Sequence, residues 1–312
     1  MLLANGVATD ILFPNLGIEL RNVPSGFDVF GYHIAFYGVM IGLGMLSGWL
    51  IAEWMAKRTG QNTEIYMDFA LIVIVVSVIF TRLFYVIFSW DEFKDDLLQI
   101  FNLRSGGLMI YGGIFGAILT AYVYTKVKKY SFWLLVDTGC IGLILGQIIG
   151  RWGNFFNREA FGKYTNGRFA MLVNINDVSY DFTRPISDLR EKFAGKPAAF
   201  ERIMEIKEKS IMIQGVEYIQ VHPTFLYESL WNLGLLIILF FYTKHKKFDG
   251  EIILLYLAGY GIGRIWIEGL RTDQLFLWGS SIPISQIISA ILVISALTLI
   301  IIKRIKLVKS VK

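Results

Sequence analysis

The run FWLLVDTGCIGLILGQIIGRW from Phe132 to Trp152, which continues as GNFFNREAFG from Gly153 to Gly162, decides the fold. Before Arg151 its only charged residue is Asp137. At about 1.5 Å of rise per residue such a helix reaches across the roughly 30 Å of a bilayer's hydrocarbon. Where the apolar character ends, Arg151, Asn154, Asn157, Arg158 and Glu159 arrive together. Ionisable groups are costly at membrane depth, so a knot of them at a helix end marks an interface and a candidate site.

Working outward, six further stretches are apolar enough to pair with it: Tyr32–Glu53, Ile65–Ser89, Gly106–Tyr124, Thr224–Tyr242, Ile252–Leu270 and Ile284–Ile302. The 312 residues are 55% hydrophobic and 18% charged, with a mean hydropathy of +0.54, which excludes an ordinary soluble domain. The net charge of +5 does not point to nucleic acid, because the basic residues fall in short runs between the apolar stretches. Cys140 is the only cysteine, so an intrachain disulfide, a cysteine-based zinc site and a redox pair are excluded, and it reads as a small packing residue. From Met1 through Asp10 to Glu19 no basic cluster precedes an apolar core, so a cleaved signal peptide is not expected.

Lys57 and Arg58, then Lys126, Lys128 and Lys129, then Lys244, Lys246 and Lys247, then Lys303, Arg304, Lys306, Lys309 and Lys312 all fall on one side of these spans. By the positive-inside rule that side is cytoplasmic. The expected fold is an all-α polytopic membrane protein with seven transmembrane helices, the N-terminus outside and the C-terminus inside. Residues 1–152 hold an N-terminal segment and helices one to four. Residues 153–221 form a small, mixed extracytoplasmic cap with a strand pair and a helix, 222–302 carry helices five to seven, and 303–312 are a basic cytoplasmic tail.

On this topology the polar residues gather in one leaflet, the outer one: Tyr37, Arg82, Arg151, Glu159, His222, Glu228, Arg264, Glu268, Arg271 and Gln286, with the Arg104-Ser105-Gly106-Gly107 turn and Tyr111. Asp137, in the other half, reads as a helix-to-helix hydrogen bond. A transporter expects its site near the midplane, whereas arginines at headgroup level suit a phospholipid phosphate, which guanidinium can grip with two parallel hydrogen bonds. Arg151 and Asn154 share a helical face at i, i+3 and can hold one phosphate together. His222, before Pro223, fits a general base or a hydrogen bond at a helix entrance. Glu228 needs a partner, naturally an arginine. Arg264 and Glu268 at i, i+4 form either an ion pair or a site wall. The Gly106-Gly107 turn offers bare N–H groups to an anion. Trp90, Trp152 and Trp278 fit an interfacial aromatic belt. With only three histidines and no H-E-x-x-H pair, a metalloprotease is not supported.

These residues resemble the prolipoprotein diacylglyceryl transferase family from about Tyr37 to Ser289. The Gly150–Gly162 run is similar to the family signature G-R-x-G-N-F-x-N-x-E-x-x-G. Phe36-Tyr37-Gly38, Arg82 with Tyr85, Gly106-Gly107 with Gly112-Gly113, His222-Pro223 with Leu226-Tyr227-Glu228, Arg264 with Glu268, and Gln286 with Ser289 support it. The resemblance implies an enzyme of the bacterial inner membrane, without cofactor or metal. It would move the diacylglyceryl group of phosphatidylglycerol onto the lipobox cysteine of a prolipoprotein, forming a thioether and releasing glycerol phosphate. Matched by position, Tyr37, Asn154, Glu159, Arg264 and Glu268 are expected to be catalytic; Glu268 or Glu159 would orient the arginines or accept the thiol proton, with Tyr111 and His222 as rival proton acceptors. Arg151 is expected at the phosphate, and Arg82, Asn157, Gly162, Arg271 and Gln286 at the substrate. Many members carry His where this chain has Tyr111, which puts a mechanism requiring imidazole there in doubt. The stretch from Lys163 to Gln220 matches poorly, and no residue is carried over from it.

Overall fold

A computed structural model describes residues 10–103, 106–178, 182–194, 197–272, 274, 276 and 282–311. Arg104, Ser105, Trp278 and Lys312 lie outside them. Among the described residues the helices are α1 (Phe36–Arg58), α2 (Thr63–Phe88), α3 (Ile110–Val127), α4 (Phe132–Asn157), α5 (Ile186–Lys192), α6 (Pro197–Glu208), α7 (Thr224–Tyr242), α8 (Glu251–Glu268) and α9 (Ile284–Val311). Six of these, α1 to α4, α7 and α9, are long and apolar enough to cross a membrane. The remaining expected span, α8, is a helix of 18 residues, but it carries Glu251, Arg264 and Glu268 and falls outside that composition.

The expected boundaries shift at the interfaces. Tyr32–Ala35, read as the start of the first span, is strand β4, which pairs with β3 (Gly26–Val29). The connecting Phe30 and Gly31 both have positive φ, 50° and 80°, the backbone of a tight hairpin turn whose twist matches its strands. Asp28 and His33 lie opposite each other across that hairpin, 2.9 Å apart. The third span begins at Ile110 rather than Gly106, because Gly106 and Gly107, at φ 84° and 70°, are in a left-handed turn. The helix read as ending at Trp152 runs to Asn157. At the C-terminal end the basic tail is not separate: α9 continues to Val311, since neither glycine nor proline follows Pro283 to stop it.

The expectation of an all-α protein needs correction, because a five-stranded antiparallel sheet accompanies the helices. Its order is β2 (Ile18–Leu20), β1 (Ile11–Phe13), β5 (Met171–Asn174), β7 (Val216–Val221), β6 (Ile211–Ile213). The cap thus has three strands of its own and two helices, α5 and α6, and it takes two more strands from the N-terminal segment. Ile11, Met171, Val173, Ile219 and Val221 from the sheet pack with Leu189 of α5 and with Ile203 and Ile206 of α6. Phe155, from the end of α4, and Phe225, from the start of α7, belong to the same buried cluster. Each such side chain contributes about 1.5–3 kcal/mol by leaving water, so the cap core fixes two helix ends that carry polar residues.

The chain divides into two compact units. The first comprises Met1–Ser47, Leu143–Tyr242 and Leu254–Lys312, and the second Gly48–Gly142 and Thr243–Ile253. Within the second, Asp137 accepts hydrogen bonds from Gly250 N (2.8 Å), Ile253 N (2.9 Å) and Lys246 Nζ (3.2 Å). A carboxylate there satisfies N–H groups at the start of α8 that no helical carbonyl can reach.

Candidate active site

In the first unit three helices bring charge to one point. Glu228 sits in the second turn of α7, and its side chain is only 5% exposed. Its Oε2 lies 2.5 Å from Arg151 Nη2 of α4, and its Oε1 lies 3.0 Å from Arg264 Nη1 of α8 and 3.3 Å from Arg271 Nη1, just beyond α8. Glu268, one turn after Arg264, holds Arg264 Nη2 at 2.7 Å and stands 3.9 Å from Arg271 Nε. Three arginines against two glutamates leave the group one positive charge in excess. Arg151 and Arg264 are 23% and 20% exposed, so the cations, not the central carboxylate, face outward.

The end of α4 folds back to add a third carboxylate. Arg158 (φ 51°) and Ala160 (φ 56°) are left-handed and end the helix. Glu159 thereby accepts from Asn154 Nδ2 at 3.0 Å and Asn157 Nδ2 at 3.4 Å through the same oxygen, while Asn154 Oδ1 takes Arg151 Nη1 at 3.5 Å. Arg158 itself is buried and donates to the carbonyls of Phe156 and Val23. It ties the N-terminal segment to this turn.

Gly162 works through close approach. A Cβ there would lie 2.8 Å from His222 Cβ and 3.0 Å from Leu270 O. Around it Gly162 N donates to His222 O (2.9 Å), Lys163 N to Leu270 O (2.7 Å) and His222 N to Lys163 O (3.1 Å). Thr224 Oγ1 donates to Ala160 O. His222 and the chain leading to Arg271 are therefore stapled to the loop after α4. The His222 ring meets Tyr227 Oη through Nδ1 at 3.2 Å. Burial, with Lys163 nearby, pushes its pKa below the usual histidine range and keeps it neutral at pH 7.

Tyr37 lies against Gly153, where a Cβ would come within 2.9 Å of Tyr37 Cδ2. Gln286, expected at the substrate, donates to Ile265 O at 2.7 Å and so ties α9 to the helix bearing Arg264. Two contributors escaped the sequence reading. Glu228 was seen only as needing a cation, and it is the hub of three. Arg202 of α6 donates to Arg271 O (2.8 Å) and Gln274 Oε1 (2.5 Å), while Gln274 donates to Glu268 O. The cap thus holds the segment that carries Arg271, and no motif in the cap announced it.

Arg82 and Tyr111 belong to the second unit. Arg82 is buried, and its donors meet five backbone carbonyls: Nε that of Ile100 (2.8 Å), Nη1 those of Gly106 (2.8 Å) and Gly107 (2.9 Å), Nη2 those of Gln99 (2.5 Å) and Asn102 (3.1 Å). The glycine turn, expected to offer N–H groups to an anion, turns carbonyls to this guanidinium. Tyr111, in the first turn of α3, is 53% exposed. Among the described residues no three His, Cys, Asp or Glu side chains converge as a metal site.

The family model for prolipoprotein diacylglyceryl transferase matches residues 24–302. A phosphatidylglycerol--prolipoprotein diacylglyceryl transferase of Clostridioides difficile is 39% identical over 271 residues, which cover 87% of this chain and 91% of that relative. The enzymes of the same name from Halalkalibacterium halodurans, at 37% identity over 86% of this chain and 82% of the relative, and from Bacillus mycoides, at 35% over 88% and 89%, are similar along the same length. With a family match from residue 24 to residue 302, this chain belongs to the prolipoprotein diacylglyceryl transferase family.

Proposed function

We propose that this chain transfers the diacylglyceryl group of phosphatidylglycerol to the thiol of a prolipoprotein's lipobox cysteine, forming a thioether and releasing glycerol phosphate. The relatives' names supply the two substrates, and the Arg151–Glu228–Arg264–Glu268–Arg271 cluster supplies the observation that carries the reading. The cysteine sulfur attacks the glyceryl carbon that bears phosphate. The carbon–oxygen bond breaks, its electron pair leaves with glycerol phosphate, and the thiol proton passes to a protein acceptor.

The phosphodiester carries one negative charge, matched by the cluster's single excess positive charge. The departing phosphate gathers a second as the bond breaks, so prepositioned guanidinium groups stabilise the transition state more than the ground state. Arg151 and Arg264, the more exposed of the three arginines, hold the phosphate, and Glu228 and Glu268 orient them. Glu159 receives the thiol proton. It is linked to Arg151 through Asn154, and no cation pairs with it among the described residues, whereas Glu268 would have to release Arg264 to take a proton. Tyr37 and Asn157 flank this carboxylate. Gly162 and Gln286 set the backbone and helix positions, and Arg82 holds the backbone of Gln99, Ile100, Asn102, Gly106 and Gly107.

The enzyme lies in the inner membrane with α8 as a seventh crossing, its charges at its ends. The lysine and arginine runs set the N-terminus outside and the active site in the outer leaflet. Purified protein given labelled phosphatidylglycerol and a lipobox peptide is expected to yield a thioether. A peptide with Cys→Ser should yield none, and product from the serine peptide, or none from the cysteine peptide, overturns the reading.

A further inference from the structure

The ion cluster opens into a small cleft between α7 and α8, lined by Glu228, Trp231, Asn232, Tyr260, Arg264 and Ile267 among others. Asn232 is one helical turn from Glu228, away from the α7 end that carries the charges, which places it about 6 Å deeper toward the membrane middle. The residue is 2% exposed, and its Nδ2 has no hydrogen-bond partner among the described residues. A buried amide donor left without an acceptor is costly, and most such groups find a partner. The same offset recurs beside it. Tyr260 stands one turn deeper than Arg264, and Gln147, one turn deeper than Arg151, donates to Tyr256 Oη at 2.8 Å.

A phospholipid whose phosphate sits among the arginines has its acyl ester carbonyls a few bonds below, on the side of the acyl chains. Those carbonyls accept hydrogen bonds and donate none, and Asn232, which lines the cleft that Arg264 shares, carries an unused donor. The headgroup glycerol extends the other way, toward water.

We propose that Asn232 is a specificity-determining residue that donates a hydrogen bond to an acyl ester carbonyl of the bound lipid, so that the site selects diester over ether-linked phosphatidylglycerol. The inference rests on the phosphate placement given under Proposed function. Its test is displacement of a fluorescent phosphatidylglycerol from the detergent-solubilised full chain by diester and by dialkyl-ether phosphatidylglycerol of equal chain length. Wild type should favour the diester about tenfold, the order of one hydrogen bond to a buried polar group. Asn232→Leu, similar in shape but without a donor, should lose that preference by weakening diester binding alone, and Asn232→Ser, too short to reach, should do the same. The diester-to-ether ratio does not depend on how much of a variant folds. Equal affinities in wild type, or parallel losses for both lipids in the variants, would overturn the proposal. A wild type that prefers the diester yet makes no thioether leaves this inference standing and removes the proposed function, and the converse result does the opposite.

Discussion

Replacing Glu228 by Gln removes the charge at the point where three arginines meet and keeps the side chain's size. The excess positive charge rises from one to two, because three arginines then face Glu268 alone. Glu228 is 5% exposed and contacts guanidinium nitrogens at 2.5, 3.0 and 3.3 Å. Removing one partner of a buried ion pair costs about 3–5 kcal/mol. An amide oxygen still accepts from one guanidinium, so the lower figure applies. Two effects then compete. The added positive charge attracts the phosphodiester more strongly, which favours ground-state binding, whereas the arginines lose the carboxylate that aims them at the departing oxygen. Orientation governs the chemical step, so kcat should fall roughly a hundredfold, at about 1.4 kcal/mol per factor of ten, while KM for phosphatidylglycerol does not rise. Glu268→Gln removes one close contact, at 2.7 Å, and one at 3.9 Å, and should cost about tenfold, in line with a single charged hydrogen bond. Pairing Glu228→Gln with Arg271→Gln returns the excess to one and should recover part of kcat. Initial rates of thioether formation across phosphatidylglycerol concentrations read all three variants. A raised KM at unchanged kcat, or a larger loss in Glu268→Gln than in Glu228→Gln, refutes the hub.

Arg151→Lys keeps the charge but cannot reach Glu228 and Asn154 from two nitrogens at once, so kcat/KM for the peptide should fall at least about tenfold; wild-type rates would rule out the two-pronged grip. Gly162→Ala sets a methyl group against His222 Cβ and Leu270 O, 2.8 and 3.0 Å away. This should cost about 1–3 kcal/mol as overpacking, read as a lowered thermal midpoint in detergent and faster proteolysis of the cap. His222 has a lowered pKa in the fold, so between about pH 6.5 and that lower value the unfolded chain binds a proton that the folded chain does not. The stability from neutral His222 is therefore complete above about pH 6.5 and is lost as pH falls through that window. His222→Gln should flatten the acid-side decline of the thermal midpoint, and an unchanged decline refutes this.

The parts of the fold that depend on composition over a single run were legible in the sequence, and those that depend on pairing were not. The apolar runs marked every long helix, because burying twenty apolar side chains in lipid requires nothing from the rest of the chain. Their ends shift where local chemistry prevails: the Phe30-Gly31 turn makes a hairpin of Tyr32–Ala35, and α4 runs past Trp152 until left-handed Arg158 ends it. β1 is not legible because its partner β5 is far along the chain and no local pattern records a non-local ladder, and β2, at the sheet edge, pairs with β1 and is lost with it. In the site, Arg151 with Asn154 and Arg264 with Glu268 were readable as helical spacings. Glu228 as hub was not, since its partners come from α4, α8 and the segment after it. Arg82 is expected at the substrate through its match to the family, yet its guanidinium meets carbonyls of the irregular segment after α2, because a buried cation with five donors can satisfy backbone as well as a ligand.

Buried ion pairs seldom add stability over well-packed apolar residues, so the cluster's arrangement is better explained by position than by strength. Three guanidinium groups could not share this space without Glu228 and Glu268, and a fully neutral cluster would hold no preference for an anion. On the proposed function, one excess charge would let the group stay assembled when empty and still favour the departing phosphate. That balance depends on where Glu228 stands. It lies three residues after Phe225, whose ring is in the core of the cap, and its helix starts beside the Thr224 bond to Ala160. The cap's packing therefore sets the height of the hub, and α7 carries that height one turn further to Asn232. A substitution that loosens the cap should disturb phosphate and ester recognition together, whereas one at Asn232 should disturb only the second.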